Sequence, residues 1–303
     1  MLKRLIQKIE SIFKYRYLAN NEKGAYNFLL QKLYKSTDID FLENVWQLDF
    51  FREVLVPQEL DISEMKNVLV LAPHQDDEAI GCGGLLLKLS EQKTNVHLCF
   101  LTDGAELSNA DDSPRTRAEE AAKVAQKLNA EISSLEINNI TLEIQNEDLD
   151  TLVQLINKGW DTIVTVWPLD QPAKHRLCSY LVGEAVRRST FKKDLLFYAV
   201  HTDLLPNYYL DITQSIDQKQ ALINTYTSQI NAQRYDHISR GLDAWRSRFL
   251  KVSNEERFVE VFMKIGHAGY VDFQEIYRKV DAKKLLKGND AAIQSFQRLK
   301  QLK

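Results

Sequence analysis

Four short stretches of the chain, at 67–72, 96–102, 162–167 and 195–200, are apolar almost throughout. A strand with one face in water alternates apolar and polar residues, so runs without that alternation belong to strands covered on both faces. Helix-like stretches at 79–90, 115–128, 149–157 and 175–188 lie between them. Strands alternating with helices predict parallel pairing, and right-handed crossovers then place helices on both faces of the sheet. The expected architecture is α/β, a Rossmann-like, mostly parallel sheet, with its core at 65–205. Residues 206–303 add a Tyr-rich strand candidate at 208–212 and several helical stretches that complete a cleft.

Residues 1–64 read as a helical extension. Leu2, Leu5, Ile6, Ile9, Ile12 and Phe13 share one helical face, and Lys3, Arg4, Lys8, Lys14 and Arg16 occupy the rest. Such a basic amphipathic helix suits packing on the domain or on a partner, or peripheral contact of residues 1–20 with an anionic membrane surface. The apolar residues near the start are interrupted by charges, unlike the unbroken apolar core of a secretory signal. No run approaches the length of a membrane span. Three cysteines, Cys82, Cys99 and Cys178, form no CxxC pair, which points to a reducing, cytoplasmic compartment. With 39 basic against 42 acidic residues, nothing suggests general nucleic-acid binding.

In open α/β sheets ligands gather outside the carboxyl ends of the strands. His74, Asp76 and Asp77 follow the first run, Asp103 follows the second, and Asp170 with His175 follows the run at 162–167. Imidazole nitrogen and carboxylate oxygen are good zinc donors, and His74 with a neighbouring Asp and a distant His175 gives three ligands. Three protein ligands leave a position for water, as in catalytic sites. Of two adjacent carboxylates in one turn, one can bind the ion while the other stands by as general base. The acidic triplet Asp76, Asp77 and Glu78 also suits a helix N-terminus; the strand-end position and the matching His favour chemistry. The glycines Gly81, Gly83 and Gly84 fall inside the following helix and form no GxGxxG, so they read as sites of close helix–sheet packing rather than of nucleotide binding. His97 reads as a packed core residue, and His237 and His267 as surface or supporting groups. Asp103 and Asp170 are candidates to support a ligand from behind, and His201 stands at a strand end beside the site.

The stretch from Val68 to Gly84, with Ala-Pro-His-Gln-Asp-Asp-Glu at its centre, closely resembles the opening of the PIG-L/LmbE-like deacetylase family. Collinear support comes from Leu101-Thr-Asp-Gly104, Arg117 with Glu120, Ser228-Gln229 and a closing segment at 259–262. The resemblance spans about 66–262. It implies a Zn2+-dependent hydrolase that removes the acetyl group of an N-acetylated sugar, free, nucleotide- or lipid-linked, in glycan or glycolipid biosynthesis. His74, Asp77 and His175 would bind zinc, Asp76 would be the general base and Arg117 would contact substrate. Two positions depart from the family pattern. Gln75 replaces a Pro, and Pro172 stands where the family has the His thought to stabilise the oxyanion. Lys174 and His201 are the candidates to take over that charge. The alternative is a non-catalytic carbohydrate- or nucleotide-binding module on the same fold.

Overall fold

The computed structural model describes residues 44–45, 57–105 and 113–301. The basic amphipathic stretch at 1–20, and nearly all of the helical reading of 1–64, lies outside the described residues. Within that region Asn44 and Val45 are helical, and Gln58–Glu59 form a short strand, β1.

The strands that follow are β2 (Asn67–Ala72), β3 (Asn95–Thr102), β4 (Glu131–Ile137), β5 (Thr162–Val166), β6 (Leu195–Tyr198), β7 (Tyr208–Asp211) and β8 (Val259–Ile265). Between and after them run α1 (Asp77–Glu91), α2 (Pro114–Leu128), α3 (Asn146–Ile156), α4 (Ala173–Arg188), α5 (Ile216–Ile223), α6 (Thr227–Ala232) and α7 (Tyr235–Arg246). Three more, α8 (His267–Lys279), α9 (Ala282–Leu285) and α10 (Asp290–Gln301), close the described chain. All strands join one sheet in the order β1-β7-β8-β6-β5-β2-β3-β4. Strands β2 to β6 pair in parallel, as the apolar runs require, while β8 is antiparallel to both β6 and β7.

The missing alternation has a direct cause. Val68, Val70 and Ala72 of β2 face one apolar core, with α1, α2 and α5, whereas Leu69 and Leu71 face a second one with α3, α4, α8 and α10. Each fully buried aliphatic side chain stabilises by about 1.5–3 kcal/mol relative to exposure, so both faces of β2 reject polar residues. Three strands were absent from the sequence expectation, the first being β1, which falls in the stretch read as helical. Edge strand β4 (EISSLEI) is mostly exposed and carries no apolar run. Strand β8, read only as a closing segment, is wedged between β6 and β7 and makes the sheet mixed on that side.

Chain order fixes where a site can form. From β2 the chain moves outwards through β3 to β4, then returns to the other flank of β2 with β5. The crevice between the carboxyl ends of β2 and β5 is the topological switch point, where open α/β sheets bind their ligands.

Candidate metal centre and active site

The turn leaving β2 enters α1 through Asp76, whose φ of 127° is rare for a residue with a side chain. Such a conformation costs of order 1–3 kcal/mol and persists only where neighbours fix it. Here the Asp76 N–H donates to Glu78 Oε2 (3.1 Å), and Glu78 Oε1 accepts from the Tyr226 hydroxyl (2.5 Å). Asp76 occupies the N-cap position, yet its side chain makes no capping hydrogen bond. The capping role considered for the acidic triplet is therefore not what occupies the Asp76 carboxylate.

Asp77 Oδ2 accepts the His74 backbone N–H (2.9 Å) and lies 3.1 Å from His74 Nδ1 and 3.3 Å from His175 Nε2. The two ring nitrogens are themselves 3.1 Å apart. Each ring's outer nitrogen is held. His74 Nε2 meets Asn139 Oδ1 at 2.9 Å, and His175 Nδ1 meets Asp170 Oδ2 at 2.9 Å. Both partners are acceptors, so the outer nitrogens carry protons, and the inner nitrogens are the ones that would offer lone pairs to a bound ion. Three lone-pair donors crowded into one buried triangle repel each other unless a positive charge sits among them. Donor atoms around a tetrahedral zinc with N or O ligands lie roughly 3.3–3.5 Å apart, from the usual bond lengths, and the observed edges of 3.1, 3.1 and 3.3 Å would need to open by a few tenths of an ångström at most to take that ion. Among the described residues, His74, Asp77 and His175 form the cluster of this kind.

The protein itself supplies such a positive charge as a proton on His175. Burial opposes charge on Asp77, but the His175 charge and the hydrogen bonds to both rings hold its carboxyl well below the usual range. Burial also opposes charge on His175, yet Asp77 and Asp170 push it up to about 10. His74, where burial dominates, is lowered. Asp76 moves oppositely to its neighbour: burial and the Asp77 charge raise it well above the usual range, with Arg117 partly offsetting them.

The remaining candidates gather around this cluster. Asp170 is fully buried and also accepts the backbone N–H of His201 (3.1 Å). Asp103 lies one step further back, since its Oδ1 accepts the Asn139 N–H (2.9 Å) and so fixes the residue that holds His74. The His201 ring is 5.2 Å from that of His175. Lys174 is half-buried in the first turn of α4, beside an exposed Pro172. Arg117, in the first turn of α2 behind the Ser113 cap, is buried, and its Nη2 donates to Gln229 Oε1 (2.6 Å). Glu120 is buried as well and accepts from Ser228 N–H (2.9 Å), Ser228 Oγ (2.6 Å) and Thr227 Oγ1 (2.8 Å). Gly104, at φ 71°, follows Asp103, and a side chain there would collide with Arg117 and Gln75. Gln75 is itself buried and donates to the Thr102 carbonyl (3.2 Å). His97 packs between β3 and β4, bonded to Ser133 Oγ (2.7 Å), away from the site.

Asn139, Glu78 and Tyr226 were not foreseen as parts of the site. Asn139 stands just past the carboxyl end of β4, the one signal available for it, and β4 itself was not recognisable as a strand.

Comparison with known proteins supplies a relationship by sequence and a likeness by fold. The PIG-L (GlcNAc-PI de-N-acetylase) family matches residues 69–186. A diacetylchitobiose deacetylase of Thermococcus kodakarensis is 30% identical over 194 residues, covering 55% of this chain and 71% of that protein. Among solved structures, N,N'-diacetylchitobiose deacetylase from Pyrococcus horikoshii superposes with a TM-score of 0.60 at 21% identity, over 77% of this chain and 95% of that one. GalB, a 4-carboxy-2-hydroxymuconate hydratase from Pseudomonas putida, superposes with a TM-score of 0.56 at 18% identity, over 66% and 96%. These two structural likenesses show a shared fold, which serves more than one reaction and does not choose between them. The sequence relationship does choose: the chain belongs to the PIG-L (GlcNAc-PI de-N-acetylase) family of deacetylases.

Proposed function

We propose that the chain is a zinc-dependent hydrolase that removes the acetyl group from an N-acetylated sugar, free, nucleotide- or lipid-linked, in glycan or glycolipid biosynthesis. One observation carries the reading: three donor atoms within 3.1–3.3 Å of each other, with both imidazoles held from behind by Asn139 and Asp170. In this reading His74, Asp77 and His175 hold the ion, which when bound supplies Lewis-acid charge and lowers the pKa of water towards ~7. Asp76 takes the proton of the attacking water and returns it to the amide nitrogen as the C–N bond breaks. A carboxyl raised by burial and by Asp77 suits both halves of that cycle, because it accepts a proton readily and survives protonated until the amine leaves. Asp170, and Asp103 through Asn139, keep the rings oriented.

Arg117, Lys174 and His201 bind the substrate, with Lys174 supplying the charge that Pro172 lacks, or His201, whose pKa burial and the His175 charge lower, supplying a hydrogen bond in its place. Supporting His201, its ring lies beside that of His175 at 5.2 Å. The deacetylases among the relatives direct the first trials to N,N'-diacetylchitobiose and N-acetylglucosamine. The test joins metal content by mass spectrometry to amine release, for wild type, Asp77→Ala and His175→Ala. About one zinc per chain, lost in both variants together with amine release, is expected. A wild type that takes up no metal after zinc is added back overturns the reading. Zinc uptake without turnover on any N-acetylated sugar moves it to a binding module. Among the described residues no helix is long and apolar enough to cross a membrane, and for a lipid-linked substrate the proposed contact is residues 1–20. Lipid co-sedimentation equal with and without those residues ends that part of the proposal.

A further inference from the structure

Asp76 does not hold its own turn. At φ 127° it stands in a conformation that persists only where neighbours fix it, and its side chain makes no capping bond. Its N–H is held instead by Glu78 Oε2, at 3.1 Å. A carboxylate rotates easily about its last torsion, so Glu78 needs a second hold to keep that oxygen in place. Tyr226, 148 residues further along the chain, gives it by donating its hydroxyl to Glu78 Oε1 at 2.5 Å. Glu78 and Tyr226 are 0% and 1% exposed, so bulk water does not make good either bond once it is lost.

Tyr226 is itself placed from α2. It lies in the turn between α5 and α6, and that helix grips the three residues after it. Thr227 and Ser228 donate to the Glu120 carboxylate at 2.6–2.9 Å, and Gln229 Oε1 accepts from Arg117 at 2.6 Å. The charge of Arg117 reaches Asp76, so one turn braces the carboxyl and the guanidinium that acts on it. Packing alone calls for a ring, which phenylalanine supplies equally well. The hydroxyl, committed to Glu78, answers a different need.

We infer that Tyr226 is the positioning residue for Asp76: through Glu78 it fixes the turn that aims the Asp76 carboxyl, while its own hydroxyl takes no part in the chemistry. The inference rests on the deacetylase reading only for the role of Asp76 as base. A base must stand within hydrogen-bond reach of the proton it takes, and a displacement of about 1 Å costs on the order of 100-fold in rate.

The zinc-loaded full-length chain is compared with Tyr226→Phe, Glu78→Gln and the double variant. Turnover is read as amine release from N,N'-diacetylchitobiose and N-acetylglucosamine. Looseness of the turn is read as deuterium uptake over residues 73–80 by mass spectrometry. Tyr226→Phe is expected to keep its zinc and its KM, to lose about 10- to 100-fold in kcat, and to take up deuterium roughly 10-fold faster over 73–80. Glu78→Gln has one oxygen left for two donors and is expected to behave alike. Because both act along one path, the double variant should lose no more than the more damaged single variant, rather than the product of the two losses.

Unchanged kcat or unchanged uptake in Tyr226→Phe, or losses that multiply in the double variant, overturns the inference. So does a loss of zinc or a rise in KM in step with the fall in kcat, which marks general loosening. If Tyr226→Phe does not fold, Glu78→Gln decides alone, by the same two readings. Faster uptake in both single variants with no amine from the wild type upholds the positioning and sinks the deacetylase reading. Amine release that Tyr226→Phe leaves at the wild-type rate does the reverse.

Discussion

Burial acts on Asp76 and Asp77 alike, and the two carboxyls nevertheless respond in opposite directions. What separates them is company. Asp77 faces two imidazoles, whereas Asp76 faces the charge of Asp77 itself, softened by Arg117. The same turn therefore yields one carboxylate fit to hold a cation and one fit to carry a proton. Asp76→Asn is expected to keep its zinc and lose about 10²–10⁴ in kcat, the usual weight of a general base. Metal content equal to wild type with unchanged turnover would remove Asp76 from the chemistry. The candidate ligands and the proposed base were legible because titratable residues follow apolar runs, within a few residues for His74, Asp76 and Asp77 and eight residues on for His175. Asn139 and Glu78 were not, for a physical reason. An amide that fixes a tautomer and a carboxylate that holds a strained turn act through hydrogen bonds between distant segments, and spacing along the chain does not encode those.

Helix α1 shows how an element is fitted to the site. A methyl group on Gly81 would overlap the Tyr198 ring of β6, so the glycine sets how closely α1, with Asp77 at its start, lies on the sheet. Past Cys82, where the backbone leaves helical geometry, the N–H groups of Gly84 and Leu85 donate to Glu260 of β8 at 2.7 and 2.8 Å. Glu260 is in turn held by Lys219 of α5. Gly81→Ala is expected to destabilise by about 1–3 kcal/mol through overpacking and to weaken zinc retention, read by urea unfolding and metal content. Unchanged values on both counts would mean that α1 moves freely against β6. Lys219→Met leaves Asp243 and Glu260 buried without their cation and is expected to cost about 3–5 kcal/mol. Urea unfolding within 1 kcal/mol of wild type would show that the pair is dispensable. The close-packing role of the glycines was readable from their place inside a helical stretch. The role of β8 was not, because an antiparallel strand buried on both faces resembles any other apolar run until its neighbours are known.

At the scale of the molecule, the site ties together segments that the sheet alone leaves independent. His74 follows β2, Asp77 opens α1, and His175 lies in α4 beyond β5, so an ion held by all three links the two strands that flank the switch point. A ligand that binds only the folded chain adds RT ln(1 + [L]/Kd) to stability, about 2.7 kcal/mol at a hundredfold excess over Kd. For a chain of this size, each kcal/mol moves the midpoint by roughly 2–4 °C. Zinc is therefore expected to raise the thermal midpoint by about 5–11 °C at that excess, and a chelator to reverse the rise. Asp77→Ala and His175→Ala should melt at one temperature with or without zinc, since each removes a corner of the triangle. Asp76→Asn should retain the full shift, because its carboxylate is not among the three converging donors. A zinc-induced rise that persists in Asp77→Ala would place the stabilising ion elsewhere in the fold and detach the triangle from metal binding, whatever the turnover measured.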